Sequence, residues 1–153
     1  MTAFAQHILV ATDFSQASHL ALNAAALLAK TLGAQVTLLH VFDPAPFAAA
    51  SLPMQPVDIV GSTREMAERI EKGLEELQAA YLRSVEKVEL KIVEHASPAE
   101  GICECARQIG ADLIVVSTHG RTGLAHLLIG SVAERVVRYA PCPVLTLRSK
   151  AES

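Results

Sequence analysis

From Asp112 to Val137 the chain reads DLIVVSTHGRTGLAHLLIGSVAERVV. Leu113, Ile114, Val115 and Val116 form a short unbroken apolar run rich in β-branched residues, the pattern of a parallel strand covered on both faces and therefore placed in mid-sheet. Glycines follow at Gly120, Gly123 and Gly130, where the missing Cβ permits close approach of the backbone to a ligand. Ser131 then opens a helix that carries Val132, Val136 and Val137. The first N–H groups of a helix have no intrahelical acceptor, and they sit at the positive end of its dipole. An anion such as phosphate fits there.

Working outward, His7 to Thr12 reads as a central strand through Ile8, Leu9, Val10 and Ala11, and it ends at Thr12 and Asp13. Ser15 is placed to cap a helix with Leu20, Ala24, Leu27 and Leu28 on its apolar face and Gly33 at its end. Val36 to Phe42 is a second strand, so the first unit is βαβ with a right-handed crossover. Asp43 to Gly61 holds four prolines, is too long for an ordinary connection, and is expected to be a mobile or functional loop. Ser62 and Glu65 have the spacing of a capping box ahead of an amphipathic helix with the stripe Met66, Ile70, Leu74, Leu77 and Tyr81. Val88, Leu90 and Ile92 alternate with Lys87, Glu89 and Lys91, the pattern of a strand with one wet face at a sheet edge. Ser97, Pro98 and Glu100 open a further helix closed by Gly110. Past the organising stretch, Val144 to Arg148 is a last strand, and residues 150–153 form a polar tail.

Five strands alternating with four helices imply one α/β domain over residues 1–153, an open parallel sheet with helices on both faces, Rossmann-like. The first and fourth strands are the fully apolar ones and the third alternates, so the order 3-2-1-4-5 satisfies burial best. Ligands of such sheets bind beyond the carboxyl ends of the strands where the order reverses. Here that point lies between strands one and four, and it brings Thr12 and Asp13 together with residues 117–123.

Composition excludes several classes of function. The hydrophobic fraction of 51% is rich in alanine, aromatics make up 4%, and the formal charge is −3 with no compact basic block, so no nucleic-acid footprint is expected. The amino terminus has no basic region ahead of an apolar core, and the most hydrophobic helix is interrupted by Asn23 and Lys30. A cytoplasmic protein without membrane spans is expected. Cys103, Cys105 and Cys142 show neither a disulfide framework nor zinc spacing, and the scattered histidines offer no ligand pattern, so no protein metal site is expected. Neither a P-loop nor a Gly-x-Gly-x-x-Gly fingerprint occurs. Ser15, Ser117 and Ser131 lack the Gly-x-Ser-x-Gly context of a hydrolase. Asp13 reads equally well as a helix-start carboxylate or as a partner for ribose hydroxyls or a metal-bound phosphate.

The chain resembles the universal stress protein family, in particular its ATP-binding branch. That branch carries Gly, two residues, Gly, nine residues, Gly, then Ser or Thr; Gly120, Gly130 and Ser131 match its later positions, and Ser117 stands at the first. The runs ATDFS at 11–15, HVFD at 40–43 and APCPVL at 140–145 extend the resemblance over nearly the whole chain. It implies the same strand order and a nucleotide held by Ala11, Thr12, Asp13, Val41, Val116, Ser117, His119, Gly120, Arg121, Gly123, Gly130, Ser131 and Val132. Val41 would lie beside the adenine and Asp13 at the ribose hydroxyls or a metal-bound phosphate; His119, by its place in the loop, could orient phosphate or act as an acid or base. The implied ligand is ATP with Mg²⁺ carried on its phosphates, Asp13 being a further contact for the metal. It also implies a homodimer through Val144 to Arg148 and further protein partners of unknown identity. ATP as a regulatory ligand, a slow ATPase, and a dimeric interaction module without nucleotide are the three readings that follow.

Overall fold

The computed structural model describes residues 4–45, 59–118 and 129–148. Its elements are β1 (His7–Ala11), α1 (Gln16–Leu32), β2 (Gln35–Phe42), α2 (Ile59–Tyr81), β3 (Val88–Glu94), α3 (Pro98–Ile109), β4 (Leu113–Ser117), α4 (Ser131–Tyr139) and β5 (Val144–Leu147). All pairings are parallel, and the order is β3-β2-β1-β4-β5, as the burial argument requires. The alternating strand β3 is an outer strand, and the continuously apolar β1 and β4 are neighbours at the centre.

Because successive strand residues point to opposite faces, the sheet divides its core in two. On one face Ile8, Val10, Val36, Leu38, Leu113 and Val115 pack with Ala21, Leu22 and Ala25 of α1 and with Ile70 and Leu74 of α2. On the other, Leu9, Leu39, Ile114 and Val116 pack with Ile102, Cys103 and Ala106 of α3 and with Ala133 and Val136 of α4. Burial raises the pKa of the Cys103, Cys105 and Cys142 thiols above the ordinary value, which keeps them protonated and unreactive.

The caps of α1 and the closing glycine of α3 follow their sequence signals. Ser15 caps α1 by accepting the Ser18 N–H at 3.3 Å, and Ser97 caps α3 by accepting from Glu100 N–H at 3.4 Å. Gly33 and Gly110 end these helices at φ 66° and 65°, a left-handed conformation that glycine adopts without strain.

Three expectations need correction. The buried face of α1 is Ser18, Ala21, Leu22, Ala25, Ala26 and Ala29, whereas Leu20 and Leu27 are 38% and 68% exposed. Periodicity in so uniformly apolar a helix leaves its rotation open; the sheet selects the alanine stripe because small side chains let the helix approach closely. Next, α2 begins at Ile59, so Ser62 and Glu65 lie within the helix and do not open it. A Ser and a Glu three residues apart also occur one turn into a helix, and only the backbone distinguishes the cases. The expected loop at 43–61 therefore loses its last three residues, and residues 46–58 of it lie outside the described residues, as does the tail. Finally, the capping box of α3 is half made. The Ser97 N–H donates to His95 Nδ1 at 2.9 Å, and the Glu100 carboxylate turns instead to Arg135 at 3.1 Å.

The amino-terminal end of the sheet is tied by a carboxylate that the sequence reading did not single out. Asp112 Oδ2 accepts the N–H groups of Gln6 and His7, each at 2.9 Å, and so locks the entry of β1 to the entry of β4. Beside it, His7 Nε2 lies 2.8 Å from Oγ1 of the fully buried Thr37. Burial, the largest influence, lowers the His7 pKa from 6.5 against the opposing pull of Glu89 and Asp112. The folded state thus binds fewer protons than the unfolded one, so stability is complete above pH 6.5 and declines as the pH falls from there toward the folded pKa. Urea midpoints between pH 8 and pH 5 should shift in favour of His7→Gln relative to the native chain as the pH falls. Parallel curves for the two proteins would contradict this.

Candidate functional site

At the carboxyl ends of β1 and β4, where the strand order reverses, the chain encloses a cavity of about 290 Å³. Its walls are Ala11, Thr12 and Asp13 at the end of β1, Val41 on β2, and Val116, Ser117 and Thr118 at the end of β4. Gly130, Ser131, Val132 and Ala133 from the start of α4 form the opposite wall, and Ser18, Pro98 and Ile102 complete it from α1 and α3. Such a cleft outside the strand ends is the usual ligand position in an open α/β sheet.

Ala11, Thr12, Asp13, Val41, Val116, Ser117, Gly130, Ser131 and Val132, all expected at the site, converge on this one cavity. His119, Gly120, Arg121 and Gly123 lie outside the described residues. Thr118, within the expected stretch 117–123, lines the cavity too, and four lining positions escaped sequence reasoning: Ser18, Pro98, Ile102 and Ala133. Pro98 and Ile102 carry a legible signal, since α3 follows β3 and its first turn must lie at the same end of the sheet as the other carboxyl termini. Ser18 carries none, because a serine one turn into a helix is unremarkable.

The turn after β1 is held from several sides. Thr12 is 5% exposed; its hydroxyl lies 2.9 Å from Ser18 Oγ and accepts the Phe14 N–H at 3.0 Å. Its carbonyl oxygen lies 2.7 Å from His40 Nδ1. Thr12 thus shapes the wall through its backbone, with its side chain committed to the turn. Asp13 Oδ1 accepts the Ser15 N–H at 2.9 Å while the residue still lines the cavity, so the helix-start role and a ligand-facing role are compatible.

Glycine appears for different reasons around the site. Gly130 caps α4 at φ −53°, a value open to any residue, so its backbone freedom is not what the position uses. Ser117 continues the β4 ladder opposite Leu147 and does not have a positive φ. The hydroxymethyl group there causes no backbone strain. At Gly101 the space itself matters, because a Cβ would stand 2.8 Å from Val41 Cγ1 and 3.1 Å from His95 Cβ. The glycine lets α3 come down onto Val41 and fixes the width of the cavity at that end.

Among the described lining residues the only formal charge is that of Asp13. The first-turn N–H groups of α4, at Ser131 to Ala133, lack intrahelical acceptors and lie at the positive end of the helix dipole. The lining is mixed: the Asp13 carboxylate, the hydroxyl residues Thr12, Ser18, Ser117, Thr118 and Ser131, and the apolar side chains of Val41, Pro98 and Ile102 all face one cavity. Among the described residues no group of three His, Cys, Asp or Glu is placed to hold a metal ion, and no helix is long and apolar enough to cross a membrane.

A universal stress protein of Methanocaldococcus jannaschii is 38% identical over 145 residues, covering 92% of this chain and 81% of its own. The solved structure of universal stress protein UspA from Lactobacillus plantarum superposes with a TM-score of 0.76 at 26% identity, covering 94% of this chain and 97% of its own. A further universal stress protein, solved in complex with cAMP, superposes at 0.63 with 26% identity over 94% of this chain and 96% of its own. Residues 5–148 match the model of the universal stress protein family, and with the parallel 3-2-1-4-5 sheet and the cavity at its reversal point, the chain belongs to that family.

Proposed function

We propose that this chain binds ATP as a regulatory ligand in a cytoplasmic stress response and works as a homodimer. The carrying observation is that one cavity unites the carboxyl ends of β1 and β4 with the first turn of α4. Phosphates would meet the Ser131 to Ala133 N–H groups, the ribose would face Asp13, and the adenine would lie against Val41. A volume of about 290 Å³ suits the nucleoside part of one mononucleotide, and the cAMP complex of a related fold supports an adenine ligand. Mg²⁺ would arrive on the phosphates, with Asp13 the one carboxylate among the described lining residues able to meet it.

Dimerisation is supported at the other edge. β5 pairs with β4 and is the outer strand of the sheet, and among the described residues no strand pairs with its other side. Leu145 on β5 and Val137 and Tyr139 on α4 are 36%, 50% and 57% exposed. Such an edge is a template for a second copy related by a two-fold axis.

A ligand at a hundred times its dissociation constant stabilises the folded state by about 2.7 kcal/mol. For a chain of this size, Mg-ATP should raise the melting temperature on the order of 5 to 10 °C, and AMP less. Gly130→Val should abolish the shift by crowding the phosphate end, and Asp13→Ala should reduce it. An unchanged melting curve at saturating ATP would leave a dimeric interaction module as the better reading, and turnover faster than roughly 1 per second would make the protein an ATPase.

Gly101→Ala should press on Val41, costing about 1 to 3 kcal/mol of stability and weakening ATP, as urea titration and calorimetry would show. Light scattering should report a dimer that Leu145→Pro weakens; a native monomer at micromolar concentration would remove the dimer from this reading.

A further inference from the structure

Gly73 stands well inside α2, where glycine disfavours a helix by about 1 kcal/mol relative to alanine. Its surroundings account for it. A Cβ on Gly73 would lie 2.8 Å from Cε1 and 3.2 Å from Cζ of Phe14. Phe14 in turn is the only described non-glycine residue with a positive φ, 64°. Holding an aromatic residue in that left-handed conformation costs about 1 to 2 kcal/mol, and the conformation persists only where the surroundings impose it.

Those surroundings are visible. The Phe14 N–H donates to Thr12 Oγ1 at 3.0 Å, the next N–H, of Ser15, donates to Asp13 Oδ1 at 2.9 Å, and the Phe14 ring lies 4.7 Å from that of His40. The ring then fills the space that Gly73 leaves open. Phe14, His40 and Gly73 border a hollow of about 580 Å³ that shares Asp13, Val41 and Pro98 with the nucleotide cavity. Among the described residues, none from α2 lines that cavity itself. Gly73 therefore bears on that cavity through Phe14, which stands next to Asp13 in the turn after β1.

We infer that Gly73 is a positioning residue for Asp13: the notch it leaves in α2 seats the Phe14 ring, and the seated ring sets the angle at which the Asp13 carboxylate meets the ribose hydroxyls. The inference rests on the proposed nucleotide reading. Alanine at 73 would push the ring outward and rotate the turn that carries Asp13, although alanine suits the helix better than glycine. Phe14→Leu would loosen the same turn from the other side by emptying the notch.

The test is calorimetric titration of the full chain with ATP and with 2′,3′-dideoxy-ATP, which lacks the hydroxyls Asp13 would hold. Gly73→Ala and Phe14→Leu should each weaken ATP between about two- and tenfold, the range for one weakened hydrogen bond, and leave the dideoxy ligand nearly unchanged. Asp13→Ala should show the same selectivity. The double variant should be no weaker than the weaker single one, because both act on one turn. If the native chain binds ATP and both single variants match it, or lose the two ligands equally, the inference is overturned while the nucleotide reading stands. If Asp13→Ala alone loses the two ligands equally, Asp13 does not hold the ribose and the inference fails at that step. A native chain that binds neither ligand removes the nucleotide reading and this inference together.

Discussion

The parallel pairing of β1 with β4, Ile8 with Leu113, Leu9 with Ile114 and Val10 with Val115, is the constraint on which the rest of the molecule depends. It joins segments separated by more than a hundred residues, so it forms only at a large cost in loop-closure entropy. Two features offset that cost: side chains buried on both faces of each strand, and the Asp112 carboxylate that receives the Gln6 and His7 N–H groups across the start of the pair. Once made, the pairing sends the chain outward in opposite directions along the sheet. The connections leaving the two strands diverge, and a cleft is left between them.

What fills the cleft follows from polarity. In a parallel sheet every strand ends at the same side, and every helix that follows a strand begins there. The carboxyl ends of β1 and β4 thus meet the first turns of α1, α3 and α4, and backbone N–H groups without helical acceptors accumulate around one cavity. The apolar part of that cavity is an extension of the core on the α3 and α4 face, since Ile102, Val116 and Ala133 belong to both. Packing and the cavity wall share residues here. The left-handed Phe14, with its ring against His40 and the notch at Gly73, shows the same economy on the other face.

The sequence by itself determined the element types and the strand order. Unbroken apolar runs at 8–11 and 113–116 could satisfy burial only at the centre, and the alternating run from Val88 only at an edge. Ser15, Gly33, Ser97 and Gly110 marked helix ends because local hydrogen bonds and the φ of a single residue decide those points. Of the cavity lining, Thr12, Asp13, Ser117 and Ser131 were legible because topology delivers strand and helix ends there, whereas Ala11, Val41, Val116 and Val132 came from the family resemblance. Only the tertiary structure decided the rotation of α1, where alanine packing against the sheet overrode the apolar stripe of larger residues and left Leu27 exposed. The start of α2, the partner of the Glu100 carboxylate, the clamp at Asp112 and the inward turn of the Thr12 hydroxyl were decided there as well. Each depends on which distant atom comes within about 3 Å, the range of a hydrogen bond or contact, and no local pattern encodes that distance. Gly73 makes the point most sharply: in the sequence it is a weak spot in a helix, and only the ring of Phe14, brought to it from 59 positions away by the fold, gives the glycine a reason.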